Sequence, residues 1–269
     1  MLLMIPKIIH QIWIQGIDLV PVKYKSNINK LKQMNSDFIY IMWDEISFLS
    51  EIKIFSSFIE KYHNYNTIQE KIDFAKLVIL LLHGGIFIDI DTHPVKPLFS
   101  LFYKIKDYDF IVAKSSTDIT PLNLAVCGQL TSCINNGIII SKKKTHILNY
   151  LINKSSTGPW TRITSGISVF NECVNSYLNN NGLINKSNIL VLDSEYFQTS
   201  NFGEFKTTAK TYLKHNDEHY WVSTEFINII KSFKKEKYLY SLKIFFTSTF
   251  FTFLLIILAS IIFIYKIFS

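Results

Sequence analysis

Cysteine is scarce in this chain. Cys127, Cys133 and Cys173 are too few for a disulfide framework, and none forms a C-x-x-C pair. That argues against a structural zinc site and against a small secreted disulfide scaffold. Arginine is nearly absent: Arg162 is the only one, so the basic residues are almost all lysine. With many Ile and Asn residues alongside, this reads as coding bias from an AT-rich genome rather than selection for phosphate binding. Glycine (9) and proline (6) are few in 269 residues. No Pro/Gly/Ser-rich linker divides the chain, and no internal repeat runs through it, so a solenoid or a beaded array is excluded.

What the chain does have is apolar mass. It is 48% hydrophobic and 15% aromatic, which excludes disorder for most of its length. The length suits one large domain or two small ones, enough to bury a core without staples. Mean hydropathy is +0.19 although 18% of residues are charged, so one segment must be very apolar.

That segment is Ile244–Tyr265, which carries no charged residue in 22 positions. As a helix it would span ~33 Å, against a hydrocarbon core of ~30 Å. It is apolar on all sides, and the expectation is a transmembrane helix. Residues 231–243 form its basic flank: Lys231, Lys234, Lys235, Lys237 and Lys243 against Glu236 give +4, and Lys266 beyond adds +1. Of the total +7, residues 1–230 therefore keep only +2. The basicity belongs to a bilayer flank and argues against a nucleic-acid partner. The positive-inside rule would put the N-terminal part on the cytoplasmic side, with Tyr238 and Tyr240 at the interface. The opening MLLMIPKIIHQIWI is a poor signal peptide, because Pro6 and Lys7 interrupt it and no small-residue cleavage site follows. The organisation expected is a catalytic domain over 1–230, a juxtamembrane segment over 231–243 and a transmembrane helix over 244–265.

Within the soluble part, Lys7–Trp13 and Phe38–Trp43 are β-rich runs, with helices expected over Val22–Gln33 and Ile46–Tyr62. Thr67 and Glu70 have capping-box spacing before an apolar helical run that ends at Gly84-Gly85. IFIDI (86–90) then reads as a strand, broken by Pro94. Phe110–Ala113, Gly137–Ser141 and Ile189–Leu192 are further strands, and Thr145–Asn153 and Ser165–Leu178 are helical. Alternating strands and helices predict an α/β class with a largely parallel sheet.

The stretch that carries chemistry is HGGIFIDIDTHPVKPL, residues 83–98. Asp89 and Asp91 stand two apart at a strand end, so period-2 geometry sends both carboxylates to one face. Ile86, Ile88 and Ile90 alternate with them. Two carboxylates so close repel unless a cation or a proton intervenes. A divalent metal would relieve that and keep positions open for diphosphate oxygens. The end of a parallel strand is also where α/β sheets bind ligands. A bare D-x-D is otherwise read as two solvated aspartates.

The context resembles the DXD glycosyltransferases of the GT-A (Rossmann-like) fold, and more narrowly the family with a DXD-containing sugar-binding region. Its members include fungal outer-chain and inositol-phosphorylceramide mannosyltransferases. The resemblance runs along most of residues 5–221. Ile5–Trp13 and Phe38–Glu45 resemble its first two strands, and Asp73–Asp91 its Asp-x-x-Arg helix running into DXD. Asn135–Leu148 and Ser156–Pro159 resemble two later blocks, and His215–Trp221 a closing His…Trp block.

The resemblance implies roles residue by residue. Trp13 would stack on the nucleotide base, although an ordinary core tryptophan reads the same way. Asp73, 16 residues before Asp89, would hydrogen-bond the donor's ribose or sugar. Lys76 stands where the family favours arginine; it keeps the charge but loses the bidentate fork. Asp89 would contact ribose, sugar or metal, and Asp91 the metal directly. His215 is a candidate for a further metal or diphosphate contact, with Asp217 nearby. Trp221 would close over the diphosphate, preceded here by His219 and Tyr220 in place of the family's small-residue–Ser pair. His10 has no evident role, His83 suits a helix C-terminus, His93 follows the motif in a loop, and His63 and His146 read as structural.

The implied activity is metal-dependent transfer of a hexose from a nucleotide sugar, with anomeric configuration retained and no protein nucleophile identified. Mn²⁺ or Mg²⁺ would neutralise the leaving diphosphate. GDP-mannose is the first donor expected, UDP-sugars the second. A tail anchor beside the bilayer favours a lipid or membrane-glycan acceptor, and an endomembrane location. Two other readings remain open at this point: a toxin-like protein glycosyltransferase, and a degenerate transferase kept as a membrane scaffold.

Overall fold

The computed structural model describes residues 4–115, 134–155, 167–180, 186–197 and 207–215. All fall within the first of the two units into which the chain divides, Met1–Glu218. Among the described residues no helix is long and apolar enough to cross a membrane. The Ile244–Tyr265 run, its lysine flank, the Ser156–Pro159 block, Asp217 and Trp221 lie outside the described residues.

The elements run β1 (Ile8–Ile12), α1 (Val22–Met34), β2 (Ile39–Trp43), α2 (Glu45–Ile52), α3 (Ser56–His63), α4 (Ile68–His83), β3 (Gly85–Ile88), β4 (Thr92–Pro94), α5 (Phe99–Lys104), β5 (Phe110–Lys114), β6 (Ile134–Ser141), α6 (His146–Lys154), α7 (Ile167–Asn179), β7 (Ile189–Leu192) and β8 (Leu213–His215). Six strands form one sheet in the order β2-β1-β3-β6-β5-β7, and β4 pairs with β8 in a small second sheet.

The class is α/β as expected, but the sheet is mixed rather than largely parallel. β1 runs parallel to β2 and β3, and β5 parallel to β7, whereas β6 is antiparallel to both β3 and β5. An alternating pattern such as that of Ile138 and Ile140 reads the same in either chain direction, so the reversal leaves no mark in the sequence.

Period-2 geometry sorts the sheet into two cores. Phe87, Phe110, Val112 and Ile139 point to one face, under α2, α3, α4, α6 and α7. Ile86, Ile88, Ile111, Ala113, Ile138 and Ile140 point to the other, under α1 and α5. Burying a residue such as Leu80 or Ile139 in these layers contributes roughly 1.5–3 kcal/mol each.

The helix that enters the site has clear ends. Glu70 N–H donates to Thr67 Oγ1 (3.2 Å), and Glu70 Oε2 accepts from Thr67 N–H (2.9 Å), completing the capping box. Gly84 ends α4 at φ +67°, and Gly85 follows at φ +99°. A Cβ on Gly85 would lie 2.5 Å from Ile8 O, so glycine is required where β3 meets β1.

One helix expected over Ile46–Tyr62 is two, α2 and α3. Phe48, Ile52, Phe55, Ile59 and Tyr62 all pack on the first core. Their spacing is one continuous helical stripe, so periodicity cannot see the break at Phe55 (φ −108°, ψ 82°). No glycine or proline marks it.

Candidate active site

β3 stops at Ile88, one residue short of the motif, so the expected strand over 86–90 is a shorter strand and a turn. Asp89 N–H still donates to Gly137 O on β6 (2.8 Å), and Thr92 N–H donates back to Asp89 O (3.2 Å). The turn, rather than the pleat of a strand, brings the two carboxylates to one side. Pro94 does not break the following segment; it is the last residue of β4, opposite Leu213.

The small sheet completes the cluster. β4 and β8 place Thr92 opposite His215, which swings the imidazole over the turn. His215 Nε2 lies 2.9 Å from Asp91 Oδ1 and 3.4 Å from Asp89 Oδ2. One ligand atom from each of Asp89, Asp91 and His215 lies within 4.8 Å of the others. Two carboxylate oxygens and an imidazole nitrogen are a donor set suited to a divalent cation such as Mn²⁺. Burial pushes the Asp89 carboxyl up to about 6, against the opposing pull of Lys76 and His215, and the Asp91 and Asp73 charges raise it further. A carboxylate so disfavoured fits a place where a cation is bound.

α4 supplies the next pair. Lys76 is buried and its Nζ lies 2.6 Å from Asp73 Oδ1, with the Phe87 ring beneath the ammonium at 5.5 Å. Asp73 Oδ1 also accepts from Asn136 Nδ2 (3.2 Å). The lysine that replaces the family's arginine is therefore held in an ion pair, and it faces the Asp89 charge.

Trp13 follows β1, its N–H donating to Trp43 O (2.8 Å). It is half-buried and packs against the cluster of Val20, Tyr24 and Ile28, on which Ile90, the middle residue of the motif, also packs. Its indole Nε1 is buried without a hydrogen-bond partner. Asp73, Lys76, Asp89, Asp91 and His215 thus converge, Trp13 flanks the turn, and Trp221 lies outside the described residues. Of the other histidines, His10 is buried, bonded to Gly84 O (2.9 Å) and accepting from Trp43 Nε1 (3.1 Å). His83 lies 3.1 Å from Glu51, His93 lies 3.5 Å from Asn27, and His146 lies 3.2 Å from the Tyr177 hydroxyl.

Several residues of the site were not anticipated. Buried Gln11 accepts from Tyr40 OH (2.7 Å) and donates to Asp89 O (3.4 Å), tying β1 and β2 to the turn. Gly137 forms the floor: a Cβ there would lie 2.6 Å from His215 Cε1 and 2.7 Å from Asp89 Oδ2. A glycine inside a strand is the signal of such an approach, and Asn135-Asn136-Gly137 carried it.

Comparison with known proteins agrees with this geometry. The family model described as "glycosyltransferase sugar-binding region containing DXD motif" matches residues 21–123. An uncharacterised glycosyltransferase of Acanthamoeba polyphaga mimivirus is 26% identical over 254 residues, covering 88% of this chain and 90% of the relative. Inositol phosphoceramide mannosyltransferase 1 of Schizosaccharomyces pombe is 29% identical over 37% of this chain and 32% of its own length. The mannosyl phosphorylinositol ceramide synthase SUR1 of Saccharomyces cerevisiae is 32% identical over 33% of this chain and 23% of its own. The match thus spans a third or less of these two yeast relatives. Among solved structures, mouse xyloside xylosyltransferase 1 superimposes with a TM-score of 0.50 at 10% identity, over 78% of this chain and 96% of that one, a likeness of fold alone. The Asp-x-Asp turn at the end of β3, the sheet that presents it and the family match over residues 21–123 agree: the chain is a glycosyltransferase, similar over those residues to the family whose sugar-binding region contains the DXD motif.

Proposed function

We propose that the chain moves a hexose, mannose first, from GDP-mannose or a UDP-sugar to a lipid or membrane-glycan acceptor, with Mn²⁺ or Mg²⁺ at Asp89, Asp91 and His215. The observation that carries this is the convergence of those three side chains beside the Asp73–Lys76 pair. The names of the yeast relatives, which specify mannosyl transfer to inositol phosphoceramide, support mannose and a lipid acceptor. The uncharged Ile244–Tyr265 run with its lysine flank supports a membrane anchor and an endomembrane location.

A divalent cation bound there supplies positive charge against the diphosphate that leaves as the anomeric bond breaks. Asp91 and His215 would hold it, with Asp89 as a further ligand or a contact to the donor. Asp73 accepts hydrogen bonds from donor hydroxyls, and Lys76 offers its ammonium to a donor oxygen. Trp13 stacks on the base and offers its unpartnered indole N–H. The carboxylates are committed to the cation and the donor, so no side chain is assigned as nucleophile, in keeping with retention of configuration.

The test is a thermal-shift panel of nucleotide sugars with and without Mn²⁺, on the parent chain and on Asp91→Asn. GDP-mannose is expected to raise the melting temperature only with Mn²⁺ present, and Asp91→Asn is expected to lose both that shift and transfer while melting like the parent. Full transfer by Asp91→Asn would overturn the metal assignment. Labelled product in a chloroform extract of membranes supports the lipid acceptor, and label in protein opposes it.

A further inference from the structure

Behind the Asp73–Lys76 pair lies a cavity of ≈ 40 Å³, lined by α4, β6, α6 and α7. Its polar lining is Tyr65, Glu70, Asp73, Lys76, Asn136 and Ser155. Glu70 is the informative member. Only 1% of it is exposed. Its Oε2 is consumed by the capping box, accepting from Asn66 N–H, Thr67 N–H and Thr67 Oγ1. Its Oε1 is buried with no hydrogen-bond partner, and so is Asp73 Oδ2.

Two unsatisfied carboxylate oxygens at one small cavity are an expensive arrangement. A buried acceptor left without a donor costs free energy that folding must recover elsewhere. A capping box explains one oxygen of Glu70 and leaves the other unexplained. Both free oxygens accept only, and the third unpartnered atom at the cavity, the Tyr65 hydroxyl, can donate or accept. A ligand that satisfies all three must donate hydrogen bonds to the oxygens and pair with the hydroxyl at adjacent positions, which is what sugar hydroxyls do. The volume admits about three water-sized groups. That is too small for a hexose ring and enough for one hydroxymethyl arm or two neighbouring hydroxyls.

We propose that this cavity is a specificity pocket that takes one hydroxyl-bearing arm of the transferred sugar, and that Glu70 Oε1 reads the hydroxyl. The inference rests on the donor reading above and goes beyond it, because it assigns sugar selectivity to a residue outside the DXD turn. The ring stays with Asp73, Lys76 and the turn, while the arm enters the pocket. A donor that lacks the arm leaves both carboxylate oxygens unpaired, so discrimination comes from the missing hydrogen bonds rather than from size.

Glu70→Gln isolates this role. Glutamine also completes a capping box, so its carbonyl replaces Oε2 at Thr67 and its amide turns a donor toward the pocket. The helix is kept and the polarity at one position is inverted. The experiment measures kcat/KM of the full chain for donor breakdown with two pairs of probes, GDP-mannose against GDP-6-deoxymannose and UDP-glucose against UDP-xylose. The parent is expected to favour the hydroxymethyl-bearing member by about 10–100-fold, the range for a hydrogen bond to a charged group. Glu70→Gln is expected to lose most of that preference while its melting temperature stays at the parent's. Glu70→Ala, which lacks the cap, is expected to melt lower and serves as the structural control. A preference unchanged in Glu70→Gln, or no preference in the parent, would overturn the pocket and identify its contents as solvent only. No turnover of any of the four nucleotide sugars by the parent would overturn the donor reading, and this inference with it.

Discussion

Gly137 stands against Asp89 with no room for a methyl group: a Cβ would lie 2.7 Å from Asp89 Oδ2 and 2.6 Å from His215 Cε1. Both distances are well inside van der Waals contact. The backbone of Gly137 is also the partner of the motif, accepting from Asp89 N–H. β6 therefore fixes the main chain of the turn and, by lacking a side chain, leaves the space in which Asp89 and His215 meet.

Gly137→Ala is expected to push the carboxylate and the imidazole apart and to destabilise the fold by about 1–3 kcal/mol, as overpacking does. Mn²⁺ affinity, followed by electron paramagnetic resonance of the free ion, is expected to fall at least tenfold at a temperature where the variant is still folded. Unchanged Mn²⁺ affinity would show that Asp89 and His215 have freedom that the packing denies.

The Asp73–Lys76 pair sets a second expectation. Lys76 is 2% exposed at its side chain and Asp73 13%, so both charges are largely removed from water. Deleting one partner of such a pair strands the other. Lys76→Met is expected to destabilise by about 3–5 kcal/mol, and adding Asp73→Asn is expected to recover a large part of that. Urea unfolding of the two single variants and the double variant measures the coupling. Additive losses would show that the 2.6 Å contact carries no coupling energy.

These residues also show how far the sequence could be read. The Thr67–Glu70 box, the Gly84 stop and the alternation of Ile86 and Ile88 are local patterns with a fixed geometry, and each was legible. The direction of β6 was not, because alternation carries no polarity. Nor was the α2–α3 break, because the stripe from Phe48 to Tyr62 keeps its period across it. At the site, Asp89 and Asp91 stand two apart in sequence, and their charge repulsion announced them. His215 reaches them only through pairing between two three-residue strands, β4 and β8, too short to leave a pattern, and it was found by resemblance to a family block. Gln11 acts through what it touches across the fold, and residue type alone says nothing of that; Gly137 showed as a glycine inside a strand, which signals a close approach but not what approaches.

His10 gives the pH dependence. Its ring is fully buried on β1, one nitrogen bonded to Gly84 O and the other accepting from Trp43 Nε1. The network sets the tautomer: Nδ1 must accept from the indole, so Nε2 carries the proton and donates to the carbonyl. Protonating Nδ1 would break the bond to Trp43. Burial lowers the His10 pKa to about 4; the Gly84 bond opposes the shift and the nearby His83 adds to it. The unfolded chain titrates this histidine near the ordinary value of about 6.5. Between those two values the unfolded state binds a proton that the folded state refuses, so stability falls as pH drops. The contribution is fully present above about pH 6.5 and is lost at up to about 1.4 kcal/mol per pH unit on the way down to about pH 4. Urea unfolding at pH 7.5, 5.5 and 4.5 measures it. His10→Gln, which cannot titrate, is expected to be less stable than the parent at pH 7.5 and to lose less stability on acidification. Equal slopes for the two proteins would remove His10 as the source of the acid sensitivity.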